Sequence, residues 1–400
     1  MSTTTTVAKV TLKKNRDERV RAGHPWVFAG EVYQLPSPSL DGQVVAVEDS
    51  FGRFMGHGLV NTKSNILVRL LTRQREPINR EFFKRRLQEA IAYRERFAHL
   101  PSGPGAAYRL VHAEADGMPA FIVDRYGDYL VCQTLSLGMA ERLPMLTELL
   151  AELVAPKGIY ERSDVLVRSL EGLEQSAGVL WGEAPPEDLE IVEAGARFRV
   201  DLRSGQKTGF FLDQRLNRQR VKELARGRVL NTFCYTGGFS IAAALGNADE
   251  VVSVDISPEA IQLAEENARL NGVEGKSRWI AANAFDTLRE MEKAGEKFDV
   301  VILDPPAFTK NKASIPGAVR GYKEINLRAM RLLAPGGLLV SSSCSHHISP
   351  ALFVEVIRDA AADTRKHVRQ IELRGPSPDH PVLPAAPETD YLKCFMGQVL

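Results

Sequence analysis

The chain has 400 residues, 44% hydrophobic and 25% charged, with 51 Lys and Arg against 50 Asp and Glu. That length predicts two or three domains, and the composition excludes disordered and fibrous classes. No apolar run approaches the ~18 residues of a membrane span, and the start Met1-Ser-Thr-Thr-Thr-Thr lacks the apolar stretch of a secretory signal. The four cysteines, at 132, 234, 344 and 394, show neither paired nor CxxC spacing. A disulfide frame, a zinc ribbon and a cysteine-held iron–sulfur cluster are therefore not expected; no metal is, and the cytoplasm is the expected compartment.

Residues 7–73 read as short strands broken by turns: Val7–Leu12, Trp26–Val32, Gln43–Glu48, Phe54–Val60 and Ile66–Leu71. Residues 1–75 carry 11 Lys and Arg against 6 Asp and Glu, on a chain whose total charge is +1. Such a basic region is either a footprint for nucleic acid or a solvated face. His24-Pro-Trp26-Val-Phe28 offers aromatics that could stack a base, although such rings more often belong to a core. A basic helix over 81–100 follows. Next come strands near 109–112, 120–124 and 129–135, a helix over 139–154 and strands at 158–162 and 178–181. The Glu183-Ala-Pro-Pro-Glu-Asp188 linker closes this α+β stretch. From Leu189 a hairpin leads into alternating strands and helices, the pattern of a parallel sheet with crossovers. The expected segments are thus 1–75, 76–188 and 189–400.

The last segment carries the chemistry. Val229-Leu230-Asn231 reads as a short strand that Thr232-Phe-Cys-Tyr-Thr-Gly-Gly-Phe-Ser240 turns into a helix, though without the third glycine of a dinucleotide fingerprint. The next strand, Glu250–Asp255, ends in a carboxylate suited to a ribose diol. Capping the following helix is the other role open to Asp255, but Ser257 and Pro258 already fit the N-cap and first-turn positions. These two elements predict an adenine nucleoside on a Rossmann-like sheet. Phe298–Leu303 followed by Asp304-Pro-Pro306 separates S-adenosylmethionine from a nicotinamide cofactor. The prolines hold the loop extended and expose Asp304 at the strand's carboxyl end, as in amino- and base-methyltransferases.

One strand later, Gly336–Ser343 ends in Cys344-Ser-His346-His347. Adjacent strands of a doubly wound sheet open into one crevice, so Asp304 and Cys344 are expected to face one ligand. Cys132, inside Leu130-Val-Cys-Gln133, reads instead as a buried thiol. A thiolate explains how carbon 5 of a pyrimidine becomes nucleophilic: addition at carbon 6 leaves a carbanion at carbon 5, which attacks the methyl group. A base then removes the carbon-5 proton and the thiol is eliminated. A cationic histidine nearby would favour the thiolate. Asp304 would bond the amino group or ring nitrogen 3, and the base lies among His346, His347 and Asp304.

Segments along the whole length match one family: Arg21–Glu31, Lys207-Thr-Gly-Phe-Phe-Leu-Asp-Gln-Arg215, Asn231–Phe239, Asp304-Pro-Pro306, Ser343–His347, Asp379-His-Pro-Val-Leu-Pro384 and Tyr391-Leu-Lys393. In these the chain resembles the RlmI-type large-subunit (23S) ribosomal RNA cytosine-C5 methyltransferases. The resemblance implies an α/β fold: a Rossmann-like class I methyltransferase domain with a mixed seven-stranded sheet, preceded by a small β-rich PUA domain and an α+β central domain. It further implies S-adenosyl-L-methionine as cofactor, 23S ribosomal RNA or a large-subunit assembly intermediate as partner, no membrane, and a homodimer. Cys344 and Asp304 are the expected catalytic residues. Lys207, Thr208, Phe210, Asp213, Gln214, Phe233, Tyr235, Thr236, Gly237, Asp255, Ser257, Asn283, Ala284 and Asp304 are the expected cofactor contacts. Asn283 stands where many relatives carry an Asp that accepts from the adenine amino group, and an amide oxygen can still accept. The Lys207–Arg215 segment also reads as a loop on the sheet edge, and Asp379 and His380 as wall of the crevice or as surface loop. Methylation of uracil carbon 5 or of guanine, or RNA binding without catalysis, are the competing functions.

Overall fold

The computed structural model describes residues 7–101, 103–203, 205, 208–309 and 311–400. The chain forms two compact units. The first comprises Met1–Leu189, Val200–Leu212 and Pro378–Thr389; the second comprises Glu190–Arg199, Asp213–Ser377 and Asp390–Leu400. Among the described residues no helix is long and apolar enough to cross a membrane.

The first unit holds two five-stranded sheets. One runs Lys9–Thr11, Val44–Glu48, Phe54–Val60, Ile66–Thr72, Trp26–Phe28 in spatial order. Its two edges meet where Leu12 bridges Val32, reinforced by Lys13 N–H to the Glu31 carbonyl at 2.8 Å, which leaves little open edge. The inward side chains are mainly β-branched, Val10, Val27, Val45, Val47, Val60 and Val68, as a pleated, half-buried surface favours. The other sheet runs Ser176–Gly182, Gly158–Ser163, Tyr129–Thr134, Phe121–Tyr126, Ala107–His112. Its one parallel pair, Tyr129–Thr134 with Gly158–Ser163, is joined through the helix Leu143–Val154. The single helix expected over 139–154 is two, Leu137–Glu141 and Leu143–Val154. Pro144 breaks it, because its ring would strike the carbonyl four residues back.

The boundary expected at residue 75 falls inside this unit. Glu171, buried, ties the two sheets by accepting from Asn61 Nδ2 (2.8 Å), Ser64 Oγ (2.6 Å) and Arg69 (3.0 Å). The His24–Phe28 aromatics are packing elements here. Trp26 Nε1 donates to Glu114 at 2.9 Å, and the Arg19 guanidinium lies 4.4 Å from the Phe28 ring centre.

The second unit is built on seven strands: β1 (Arg226–Thr232), β2 (Asn247–Asp255), β3 (Ser277–Ala281), β4 (Phe298–Leu303), β5 (Leu333–Ser343), β6 (Val368–Arg374) and β7 (Lys393–Val399). Their order is β3-β2-β1-β4-β5-β7-β6, and β7 alone runs antiparallel to its neighbours. This is the expected mixed seven-stranded sheet. Its central strands are continuous apolar runs, such as Val300–Leu303, because helices cover both faces. Chain order reverses between β1 and β4, so the crevice for a ligand opens at the carboxyl ends of these strands. The hairpin Glu190–Glu193 with Ala196–Arg199 is fastened by Glu193, whose two oxygens accept from Arg218 at 2.6 Å each.

Candidate active site

The loop leaving β1 is strained. Phe233 (φ 59°), Tyr235 (φ 48°) and Gly237 (φ 86°) all take the left-handed conformation, which costs a bulky residue on the order of 1–3 kcal/mol. The strain is held by β2: Cys234 N–H donates to the Val254 carbonyl at 3.0 Å, and Tyr235 N–H to Asp255 Oδ2 at 2.8 Å. The other Asp255 oxygen accepts from Ser257 N–H at 3.0 Å, while Ser257 itself caps the helix Pro258–Leu270 by accepting from Ala260 N–H. Asp255 is therefore not the cap, and each of its oxygens keeps a lone pair for a further donor. Gly237 is required twice over, by its φ and because a Cβ there would stand 2.9 Å from Trp279.

The two expected reactive residues follow the neighbouring strands β4 and β5. Leu303 pairs with Ser341, so Asp304 and Cys344 both lie just past the carboxyl ends of neighbouring strands. The half-buried Cys344 Sγ is 3.9 Å from the Pro305 carbonyl oxygen. Cys132, Cys234 and Cys394 are buried, and burial pushes the Cys394 thiol up to about 12. Burial likewise raises the Asp304 carboxyl to about 7, with the Asp213 carboxylate adding to the effect and Arg218 and the Gln214 hydrogen bond opposing it.

Asp304 is braced by a relay. Gln214 Nε2 donates to Asp304 Oδ1 at 3.0 Å, Asn217 Nδ2 donates to Gln214 Oε1 at 2.6 Å, and Arg374 Nε donates to Asn217 Oδ1 at 3.0 Å. Asp213 Oδ2 accepts from the Tyr391 hydroxyl at 2.7 Å. Its Oδ1 and the Thr236 Oγ1 are buried with no hydrogen-bond partner among the described residues. A buried orphan is costly unless a ligand completes it. Both orphans stand at positions expected to touch S-adenosylmethionine, whose amino and hydroxyl groups suit an acid and a hydroxyl. The residues fit the cofactor.

Asp213, Gln214, Phe233, Tyr235, Thr236, Gly237, Asp255, Ser257, Asn283, Ala284, Asp304 and Cys344 all belong to the second unit. Thr208 and Phe210 belong to the first. There Thr208 Oγ1 donates to Asp124 at 2.5 Å and Phe210 N–H donates to the Tyr126 hydroxyl at 3.2 Å. Lys207 lies outside the described residues. Asn283 has a second role that the sequence did not announce: its amide oxygen caps the helix Ala284–Lys293, accepting from Phe285 N–H at 2.9 Å, because a side-chain oxygen at that position sits over the unpaired N–H groups of the first turn. Asp379 and His380 are fully enclosed in the first unit rather than on a surface loop. Asp379 accepts from Arg109 N–H at 2.9 Å, and the His380 ring packs edge-on against His112. Of the histidines expected to tune the thiol, His346 is exposed, its ring centre 5.6 Å from that of Tyr391. Sequence reading gave no role to Lys393, which is 1% exposed and electrostatically coupled to Cys344. Its signal was a single lysine in the apolar run Leu392-Lys-Cys-Phe-Met396.

Comparison with known proteins bears on this geometry. A methyltransferase family dependent on S-adenosylmethionine matches residues 139–392, and a PUA-like domain matches residues 10–73. The ribosomal RNA large subunit methyltransferase I of Aeromonas hydrophila is 42% identical over 390 residues, 96% of this chain and 98% of the relative. That of Photobacterium profundum is 44% identical over 389 residues, 96% and 97% of the two chains. The chain belongs to the ribosomal RNA large subunit methyltransferase I family. Members carry a PUA-like domain and a class I methyltransferase domain, and S-adenosylmethionine is the methyl donor. Among solved structures, a methyltransferase in complex with SAH superposes with a TM-score of 0.85 at 24% identity, over 98% of this chain and all of that one. A Streptococcus mutans SAM-dependent methyltransferase gives 0.84 at 23%, with the same coverage. Both share the fold.

Proposed function

We propose that the protein methylates carbon 5 of a cytosine in large-subunit (23S) ribosomal RNA through a covalent bond to Cys344. The relatives' name supports the RNA; the observation that carries the atom is a half-buried thiol one strand from a carboxyl whose pKa is near 7. Methylation of an exocyclic amine or of a ring nitrogen has no use for that thiol.

S-adenosylmethionine supplies an electrophilic methyl group on a sulfonium. The Cys344 thiolate adds to carbon 6 of the ring and raises electron density at carbon 5. Asp304, partly protonated at neutral pH, donates to ring nitrogen 3 as charge gathers there. After transfer, carbon 5 loses its proton to a base drawn from His346, His347 and Asp304, and the thiolate leaves. Asp213, Thr236 and Asp255 hold the donor. The target base is single-stranded or flipped out, since strand-end pockets cannot reach into a duplex. Residues 1–75 act as an RNA-gripping domain, packed in one unit with the central domain (76–188), with the exposed Lys13, Lys14, Arg16, Arg73 and Arg75 on phosphates, ahead of the catalytic domain (189–400). The family resemblance supports a homodimer, which sedimentation checks.

The test is incubation with methyl-labelled cofactor and ribosomal RNA from cells lacking the enzyme, followed by nucleoside analysis. Label in 5-methylcytosine is expected. Label in 5-methyluridine or a methylguanosine would refute the cytosine assignment.

A further inference from the structure

Lys393 opens β7 directly opposite Ser343, the residue before Cys344. Its ammonium donates to the Ser345 carbonyl at 2.8 Å and to the Tyr391 carbonyl at 2.7 Å, so it is fixed in place next to the end of β5. A lysine 1% exposed carries a large desolvation cost unless an opposite charge stands near. Carbonyl dipoles supply part of the compensation; the acids that interact with this ammonium are Cys344 and Asp390.

Other described groups lie near the end of β5. From the helix Ile315–Leu332, the Tyr322 hydroxyl is bonded to Ser343 Oγ and Ser345 Oγ at 2.9 Å each, and burial raises its pKa, which keeps it neutral. From the end of β4 comes the Pro305 carbonyl, 3.9 Å from the sulfur, one residue after Asp304 in sequence. His346 is exposed and lies against Tyr391.

We propose that Lys393 is the resident countercharge of the Cys344 thiolate, a positioning residue that keeps the sulfur ionised before nucleic acid arrives. The inference deepens the proposed function and rests on it for its catalytic meaning. Ionisation breaks the S–H bond, the proton passes to solvent at the half-buried cysteine, and the negative charge left on sulfur is stabilised by its electrostatic interaction with the ammonium. Burial lowers the ammonium to about 8, which leaves it mostly charged at neutral pH, so it serves as a cation rather than as the base that takes the thiol proton.

The test is the pH dependence of Cys344 alkylation by iodoacetamide in the full-length protein, followed by peptide mass spectrometry, with the buried Cys394 as internal reference. In the wild type the midpoint is expected below the ordinary thiol value of about 8.5. Lys393→Gln keeps an amide donor for the carbonyls without the charge. It is expected to slow alkylation at pH 7 by about tenfold or more and to move the midpoint upward. Lys393→Arg should restore most of the rate. A wild-type midpoint at or above about 8.5 overturns the proposal even if neither variant folds, as does a Lys393→Gln profile that superimposes on the wild type. Alkylation needs no RNA. If Cys344→Ala still methylates RNA, the proposed function fails while the alkylation profile still decides the role of Lys393.

Discussion

Two clusters of buried polar groups, one in each unit, differ in how completely they are paired. In the first unit Asp124 is fully buried, takes both arms of Arg109 at 2.6 and 3.0 Å, and accepts a third bond from Thr208. In the second, the residues following the carboxyl ends of β1 and β4, with Asp213, keep among the described residues an orphan oxygen on Asp213, an orphan hydroxyl on Thr236, a carboxyl raised to about 7 and two bulky residues at positive φ. A satisfied network rigidifies; an unsatisfied one is poised for a ligand that completes it. Perturbed groups mark the site better than burial does, since both clusters are buried.

The comparison can be broken most directly at Cys344. Cys344→Ala should lower methyl transfer by about 10⁴-fold or more with the melting temperature unchanged, measured by label incorporation and calorimetry. The converse belongs to the paired cluster. Arg109→Leu should destabilise the first unit by about 3–5 kcal/mol, because Asp124 would be buried without its cation, and denaturant unfolding would read this loss.

Asp304→Asn joins the two kinds of effect. It should lower kcat by about 10²-fold and also stabilise the protein at neutral pH. The sign follows from linkage: the folded pKa lies above the unfolded value, so the wild type's neutral carboxyl is favourable below about pH 4, and that contribution is lost as pH rises to about 7. The variant, neutral throughout, should gain up to about 4 kcal/mol over the wild type across that window and no more above it. Melting curves at pH 4, 5.5 and 8 check this, and equal gaps at all three would contradict the assigned pKa. The smallest effect is expected at Asp255. Asp255→Ala releases Tyr235 N–H and a ligand contact, so cofactor affinity by calorimetry should fall about tenfold.

The local signals in the chain were strong where one residue type serves one purpose. Ser257-Pro258 announced a helix start, the apolar run 300–303 announced a buried strand, and Cys132 amid Leu-Val-Cys-Gln announced a buried thiol, and each stands so in the structure; the Asp-Pro-Pro turn expected to expose Asp304 instead half-buries it and buries Pro305. The helix break at Pro144 was also written locally but was masked by apolar periodicity on both sides. The capping role of Asn283 was not legible, because an amide oxygen suits a ligand and a helix cap alike and only the backbone around it shows the cap.

By itself the sequence determined the class of fold, the order of its elements and the residue types of the site, because periodicity, capping and strand-end acids are short-range properties. Tertiary structure alone decided which charges meet. Gln214 reaches Asp304 across ninety residues, and Lys393 reaches the end of β5 because β7 runs back antiparallel beside it. The pKa of a carboxyl and the partner of a buried ammonium depend on distance and solvent exclusion, and neither exists until the sheet has closed.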